Sequence, residues 1–361
     1  MRLAWASVTD VIGDTGDIQR LAVEFEDGTS GTAISYVRLA GSCVRGDRVL
    51  LNTTAVDLAL GTGGNHFVVA RAGEGTALEA PSGGHVMKLR YTPLQCDVLA
   101  VESPESPHHD TMRTAESLGG MPVVCCGLHS QVPLVAAAVK QSDPALKVAY
   151  CMTDQAALAL PLSDLIRASR AAGLLDASVS CGQAFGGDHE AVNLHSGLLA
   201  ARHVSGADIA IVAIGPGVVG TATPFGHGGI AQGEAVNAVS VLGGSPVACL
   251  RVSFADERPR HRGVSHHTLS ALTRITLAPA GVAVPSLPEE MSEAIEAALV
   301  GAGVWVMHRR VQATAGRTPP PDMRGVQVKS MGRGFPEDPA FFAAAFAAGE
   351  VAARAAAATG S

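Results

Sequence analysis

The amino-acid sequence predicts an α/β protein: a small β-barrel-like domain over residues 1–80, then a mostly parallel, doubly wound sheet formed by residues 81–361. Three observations carry this. The N-terminal residues hold short strands of period-two patterning separated by Gly turns. From Asp97 onward apolar runs alternate with amphipathic helical stretches. Those later runs are apolar at successive positions, as strands covered by helices on both faces require. A length of 361 residues accommodates about two such domains.

In the first domain Leu21, Val23 and Phe25 alternate with Ala22, Glu24 and Glu26, and Asp27-Gly28 supplies a hairpin turn. Val44 to Leu51 reads as a turn feeding a strand, and His66 to Ala70 as a further strand. A Gly-rich connection over 71–96 follows. In the second domain the strands are expected at Val98–Val101, Pro122–Cys126, Val148–Met152, Ser178–Cys181, Ile209–Ile214, Val247–Phe254 and Val282–Val284. Helices are expected at Val132–Lys140, Leu162–Ala172, Glu190–His203, Ile230–Leu242, His267–Leu277 and Glu289–Val300, with Val304–Met307 continuing the alternation. Pro339 to Ala358 is an Ala-rich helix whose apolar character leaves room for self-association into a homo-oligomer.

Composition narrows the function. The chain is 47% hydrophobic and 16% charged, enough apolar material for a core. A formal net charge of -7 speaks against a nucleic-acid partner, which needs a basic surface. Seven scattered cysteines form no CxxC pair, and no signal peptide or long apolar span opens the chain. Apolar runs such as Ile209–Ile214 fall short of the ~20 residues a bilayer span needs. The expectation is a cytoplasmic protein with no membrane partner.

In an open α/β sheet ligands bind beyond the carboxyl ends of the strands. Six successive predicted strands end in His, Asp, Glu or Gly, whereas their amino ends are plainer. Imidazole and carboxylate groups suit zinc, manganese or iron, and His109, His129, Asp256, His266 and His267 are the candidate metal ligands. Asp154, Asp188, Glu190 and His195 are the candidate general acid or base groups. Gly186-Gly187-Asp188 would open a helix, with Asp188 as N-cap and backbone N–H groups facing an anion. Gly215, Gly217, Gly220 and Thr221 form a Gly-rich loop that lets a ligand approach the backbone. This loop matches GxGxxG, but no helix follows at once, so a nicotinamide cofactor is the weaker reading. Arg251, Arg258, Arg260 and Arg262 surround the histidine-rich loop and suggest an anionic ligand, with Arg251 and Arg262 orienting it. Cys181 could act as a nucleophile, although a strand cysteine is more often core.

Several of these stretches together resemble a bacterial family known only as domain of unknown function 3866. They are Thr153-Asp154, Gly182 to Asp188, Gly215-Pro216-Gly217 with Gly220-Thr221, Arg262 to His267 and Ser330 to Arg333, joined by Gly46 to Thr54 and Ser106 to His109. The resemblance covers nearly the whole chain and implies a shared fold and site, but no activity. The residues themselves favour an enzyme acting on a small anionic metabolite, most concretely a metal-assisted hydrolase. A noncatalytic sensor of a small ligand is the alternative, and an NAD(P)-dependent oxidoreductase the third.

Overall fold

The computed structural model describes residues 1–60, 63–73, 83–313 and 322–359. Its chain divides into two units, Met1–Leu99 and Ala100–Ser361. Of the Gly-rich connection read over 71–96, residues 74–82 lie outside the described residues.

In the first unit β1 (Leu3–Asp14), β2 (Ile18–Phe25), β3 (Ser30–Tyr36), β4 (Arg48–Asn52) and β5 (Asn65–Arg71) close a barrel in the order β1-β2-β3-β5-β4. Alternation explains its core: Leu21 and Val23 point inward with Ala6, Val8, Ala33, Val49 and Leu51. Gly28, at a φ of +83°, turns β2 into β3, and the Asp27 carboxylate accepts from the Thr29 N–H and hydroxyl. Strand β1 is too polar on its outer face to have been read from the sequence. Two short helices, α1 (Val37–Ala40) and α2 (Thr54–Asp57), and an antiparallel pair, β6 (Val86–Lys88) with β7 (Cys96–Val98), complete this unit.

The second unit runs α3 (His109–Thr114), β8 (Pro122–Cys125), α4 (Val132–Ser142), β9 (Val148–Thr153), α5 (Asp164–Ala171), β10 (Ala177–Cys181), β11 (His189–Ala191), α6 (Leu194–His203), β12 (Ile209–Ile214), α7 (Ala231–Val241) and β13 (Ser245–Cys249). It continues with β14 (Val252–Ser253), β15 (Gly263–Val264), α8 (His266–Ser270), β16 (Gly281–Val284), α9 (Glu289–Gly301), β17 (Arg309–Gln312) and α10 (Pro339–Thr359). Eight strands form one parallel sheet in the order β11-β10-β9-β12-β8-β13-β16-β17.

The doubly wound character follows from strand periodicity. Val123, Cys125, Ala149, Cys151, Ala210 and Val212 face a core shared with Leu198 of α6, Val236 of α7 and Ile295 of α9. Their chain neighbours Val124, Val148, Tyr150, Ile209 and Ile211 face the opposite core, with Val135 of α4, Ile166 of α5 and Phe341 of α10. The helices after β8 and β9 therefore cover one face, and those after β11 and β12 the other. Because β12 inserts between β9 and β8, this reversal falls at the middle of the sheet, the place beyond whose carboxyl strand ends open α/β sheets bind ligands.

Several expected elements differ. Val98–Val101 is no strand of the large sheet; β7 ends at Val98, and Ala100 makes only an isolated bridge to Glu190. Glu190 does not start a helix. It lies in β11, and α6 begins only after Asn193, whose side chain caps the Ser196 N–H. The run from Val247 breaks into β13 and the separate hairpin β14–β15. The helix at His267 starts one residue earlier and becomes a π-helical turn over Ala271–Ile275. That turn packs on Gly233 of α7, where a Cβ would meet Ala271 O at 2.7 Å. Val304–Met307 is a single 3₁₀ turn ahead of β17.

Among the described residues α10 alone is long and apolar enough to cross a membrane, and 78% of that stretch is buried inside the unit. It is a core helix. Gly349 brings it so close to α4 that a Cβ there would stand 2.3 Å from Val135 O. The apolar face expected to drive self-association is thus covered by the protein's own sheet and α4.

Candidate functional site

The connections that follow the carboxyl ends of β12 and β13, the strands flanking β8, carry a group of histidines. The loop after β12 supplies His227. The connection after β13 supplies Arg251, Asp256, His261, His266 and His267. A short hairpin, Val252↔Val264 and Ser253↔Gly263, folds this connection back on itself. The Ser265 N–H then donates to Arg251 O at 2.9 Å, and the Ser265 hydroxyl caps α8 by accepting from the His267 N–H. This places two consecutive histidines on the first turn of α8, beside His261.

Four imidazoles meet there. Ligand nitrogens of His261, His266 and His267 all lie within 4.8 Å of one another. His227 stacks on His267 with ring centroids 3.8 Å apart and planes 6° from parallel. A bond to a carbonyl fixes the tautomer of one of them, His227. His261 Nδ1 lies 2.8 Å from Ser265 Oγ. His227 Nε2 donates to Pro224 O at 3.2 Å, and its Nδ1 is buried with no partner. The Nδ1 atoms of His266 and His267 are likewise buried and unpartnered. Burial, then the neighbouring His227 and Arg251, pushes His267 down to about 2. Burial and Arg251 push His261 down to about 3. Burial also lowers His227 and His266. All four rings are neutral near pH 7, the form that ligates metals.

Beside them two buried carboxylates, Asp256 and Asp338, are held by guanidiniums, of which Arg258 and Arg333 are partly exposed. Arg258 grips Asp256 with two hydrogen bonds, 2.9 and 2.8 Å, and Arg333 Nη2 stands 3.6 Å from the same carboxylate. Arg333 also donates to Asp338 at 3.4 Å, and the Ser253 hydroxyl donates to Asp338 at 2.6 Å. These donors hold the Asp256 carboxyl well below the ordinary carboxylate range, the Arg258 hydrogen bonds contributing most. Asp256, expected as a metal ligand, is instead an arginine partner.

The other sequence candidates sort by location. Gly220 backs onto His267, a Cβ there meeting its Nε2 at 3.5 Å, so this glycine belongs to the cluster. The Thr221 hydroxyl closes its own loop on Gly226 O. Gly217 adopts a φ of +89°, and Gly215 lies against Ala157 O, where a Cβ would come within 2.3 Å. The Gly215–Gly220 segment returns to bridge His227 rather than turning straight into a helix, unlike a dinucleotide-binding turn. Arg262 is exposed on the histidine-bearing loop.

His109 and His129 are not brought to the cluster. His109 Nδ1 is bonded to Glu102 O. Both nitrogens of His129 are engaged, Nε2 with Ser163 Oγ at 2.6 Å and Nδ1 with Tyr150 Oη at 3.1 Å. The Ser163–His129 pair has the spacing of a nucleophile and its base. However, Ser163 Oγ is buried and caps α5 by accepting from the Ile166 N–H, and burial lowers His129 to about 4. Asp188 is not a helix cap. Because β11 runs parallel to β10, the loop doubles back and leaves Asp188 beside Ser178 at the amino end of β10, paired with Arg170 at 2.9 Å. Glu190 braces the same loop, accepting from the Gly186 N–H at 2.7 Å and the Ser180 hydroxyl at 2.9 Å. Gly186 and Gly187 serve packing: Cβ atoms there would collide with Pro161 and Ser180. Asp154 accepts from the Gln183 N–H, and His195 is exposed on the first turn of α6. Cys181 is a buried core thiol.

Sequence reasoning missed His227 and Asp338. For His227 a signal existed: it sits between glycines, Gly226 and Gly228-Gly229, in the connection that follows β12.

No curated protein and no solved structure matches the chain. A family model does, over residues 32–349, nearly its whole length, from within the barrel to α10. The chain belongs to the family described as protein of unknown function (DUF3866).

Proposed function

We propose that the protein is a metal-dependent enzyme acting on a small anionic substrate, hydrolytic in its most concrete form. The observation that carries this is the convergence of His261, His266 and His267, whose neutral rings offer nitrogens within 4.8 Å of one another in the connection that follows β13. Three imidazoles with an open fourth position make the donor set of a catalytic zinc site and also suit manganese or iron. Tetrahedral zinc sets its nitrogens roughly 3.3 Å apart, so the rings would close by up to about 1.5 Å on a metal. A bound metal would supply a Lewis acid that polarises a substrate oxygen and acidifies water. The chain itself supplies the anion-attracting guanidiniums and a backbone of glycines, Gly220 and Gly229, that leaves room for the rings.

The test is the metal content of protein purified without chelator or nickel resin. Near-stoichiometric zinc, manganese or iron, lost in His261→Ala and His267→Ala, supports this reading. A metal-free protein whose thermal stability no divalent cation raises defeats it. One observation favours a second reading, a noncatalytic sensor of a small anion: Asp256 and Asp338 are tied to arginines or Ser253, so neither is poised as a ready base. Recovery of a tightly bound and chemically unchanged ligand would select that reading.

A further inference from the structure

The charge balance around the histidines specifies what the site must take. This step rests on the metal-site reading above. Arg251 is only 6% exposed, yet its guanidinium makes no hydrogen bond among the described residues. Its nearest carboxylate oxygen, on Asp256, is 3.7 Å away, and both oxygens of Asp256 are already held by Arg258. The guanidinium nitrogens of Arg251 are not among the buried, unpartnered polar atoms of the site, so they reach solvent and are open to a ligand. Burial, followed by the charge of Arg258, lowers Arg251 to about 10.

In this network three guanidiniums, Arg251, Arg258 and Arg333, face two carboxylates, Asp256 and Asp338. One positive charge is left over in this network. A divalent cation among the histidines would add two more. Arg251 lies against the start of α8, its carbonyl accepting from the Ser265 N–H at 2.9 Å and its own N–H donating to the Thr268 hydroxyl at 3.3 Å. Metal and guanidinium therefore repel one another unless an anion lies between them.

We infer that the site takes a dianionic phosphoryl group, seated between the histidine-held metal and the guanidinium of Arg251. A phosphate monoester or inorganic phosphate carries close to the required charge and has oxygens enough to face both a metal and the guanidinium fork. A monoanionic carboxylate leaves most of the excess in place.

Binding of the two ligands must then be mutually strengthening. The experiment titrates cobalt(II) into metal-free, full-length protein in chloride buffer and follows its visible absorption. The titration is repeated with inorganic phosphate, methyl phosphate or acetate at matched ionic strength. Phosphate or methyl phosphate should tighten cobalt binding by about 10-fold or more, and acetate by less than about 3-fold. Tightening by inorganic phosphate alone identifies the free anion as the occupant; tightening by both identifies the phosphoryl group of an ester as well. Arg251→Met should bind cobalt more tightly than wild type in plain chloride buffer and lose the phosphate effect. If that variant does not fold, the wild-type anion series still decides. Cobalt bound equally well with and without phosphate overturns the inference and leaves the metal site standing. Cobalt bound in no buffer removes both.

Discussion

His227 and His267 are stacked face to face, 3.8 Å between ring centroids, although they come from connections that follow different strands. Two imidazolium rings would repel strongly at that separation, so the stack is a pair of neutral rings. It joins the loop after β12 to the first turn of α8. The glycines around it decide how closely the two can approach.

Gly229 is the tightest of these. A Cβ there would stand 3.1 Å from both His227 Nδ1 and His267 Cβ, while its φ lies outside the left-handed region. The cost of Gly229→Ala is therefore steric rather than conformational, about 1–2 kcal/mol for overpacking. The rings must shift by a few tenths of an ångström. We expect the variant to fold and to bind cobalt at least several-fold more weakly. Wild-type cobalt affinity in Gly229→Ala would show that the stack does not position the ligands.

Asp256→Asn tests the charge network. Its side chain is 4% exposed and serves three guanidiniums. Removing one partner of a buried ion pair leaves uncompensated charge, which costs roughly 3 kcal/mol or more. Urea denaturation at pH 7 should show that loss. The Asp256 carboxyl titrates below its unfolded value, so its contribution is complete above the usual carboxylate pKa of about 4 and fades as pH falls below it. The gap between wild type and variant should therefore shrink in strong acid. A gap that stays constant down to pH 2 would contradict the assigned pairing.

Gly349→Ala probes the contact of α10 with α4. The added methyl would approach Val135 O and lie 2.7 Å from the Ala138 Cβ, so the helices must part. A loss of about 1–3 kcal/mol is expected from overpacking, against a gain of up to about 1 kcal/mol from helix propensity. Net stabilisation would mean that the two helices are not in close contact in solution.

The alternation of apolar strands and helices was legible because strands buried on both faces leave continuous apolar runs, as Ile209–Ile214 does. The short polar strands were not. Glu190 reads as the opening of a helix, and only its bonds to Ser180 and the Gly186 N–H show why an acid is buried in β11. The site was legible in part. His266, His267 and Arg251 stood out as histidine and arginine beyond a strand end, and the structure brings them together. Asp188 also followed a strand in sequence, but the parallel pairing of β11 with β10 carries it to the opposite end of the sheet. Sequence spacing cannot reveal such a reversal, nor that His227 crosses over to stack on His267.

His129 offers a pH test away from the histidine cluster. It ties Tyr150 of β9, the end of β12 through Ile214 O, and the capping residue of α5. Burial lowers its pKa to about 4, opposed only in part by the bond to Ile214 O. An unfolded chain takes up this proton near pH 6.5, whereas the folded chain resists until near its own lower value. Between these limits the unfolded state binds more protons, so the stability associated with neutral His129 is complete above pH 6.5 and is lost as pH falls. The loss should reach roughly 2 kcal/mol between pH 7.5 and pH 5. His129→Gln keeps a hydrogen-bonding side chain and removes the titration. Urea midpoints over this range should fall more steeply for the wild type than for the variant, so that the two proteins converge in acid. Parallel pH profiles would mean that His129 is protonated alike in the folded and unfolded states, and that the bonds to Tyr150 and Ser163 do not hold a neutral ring.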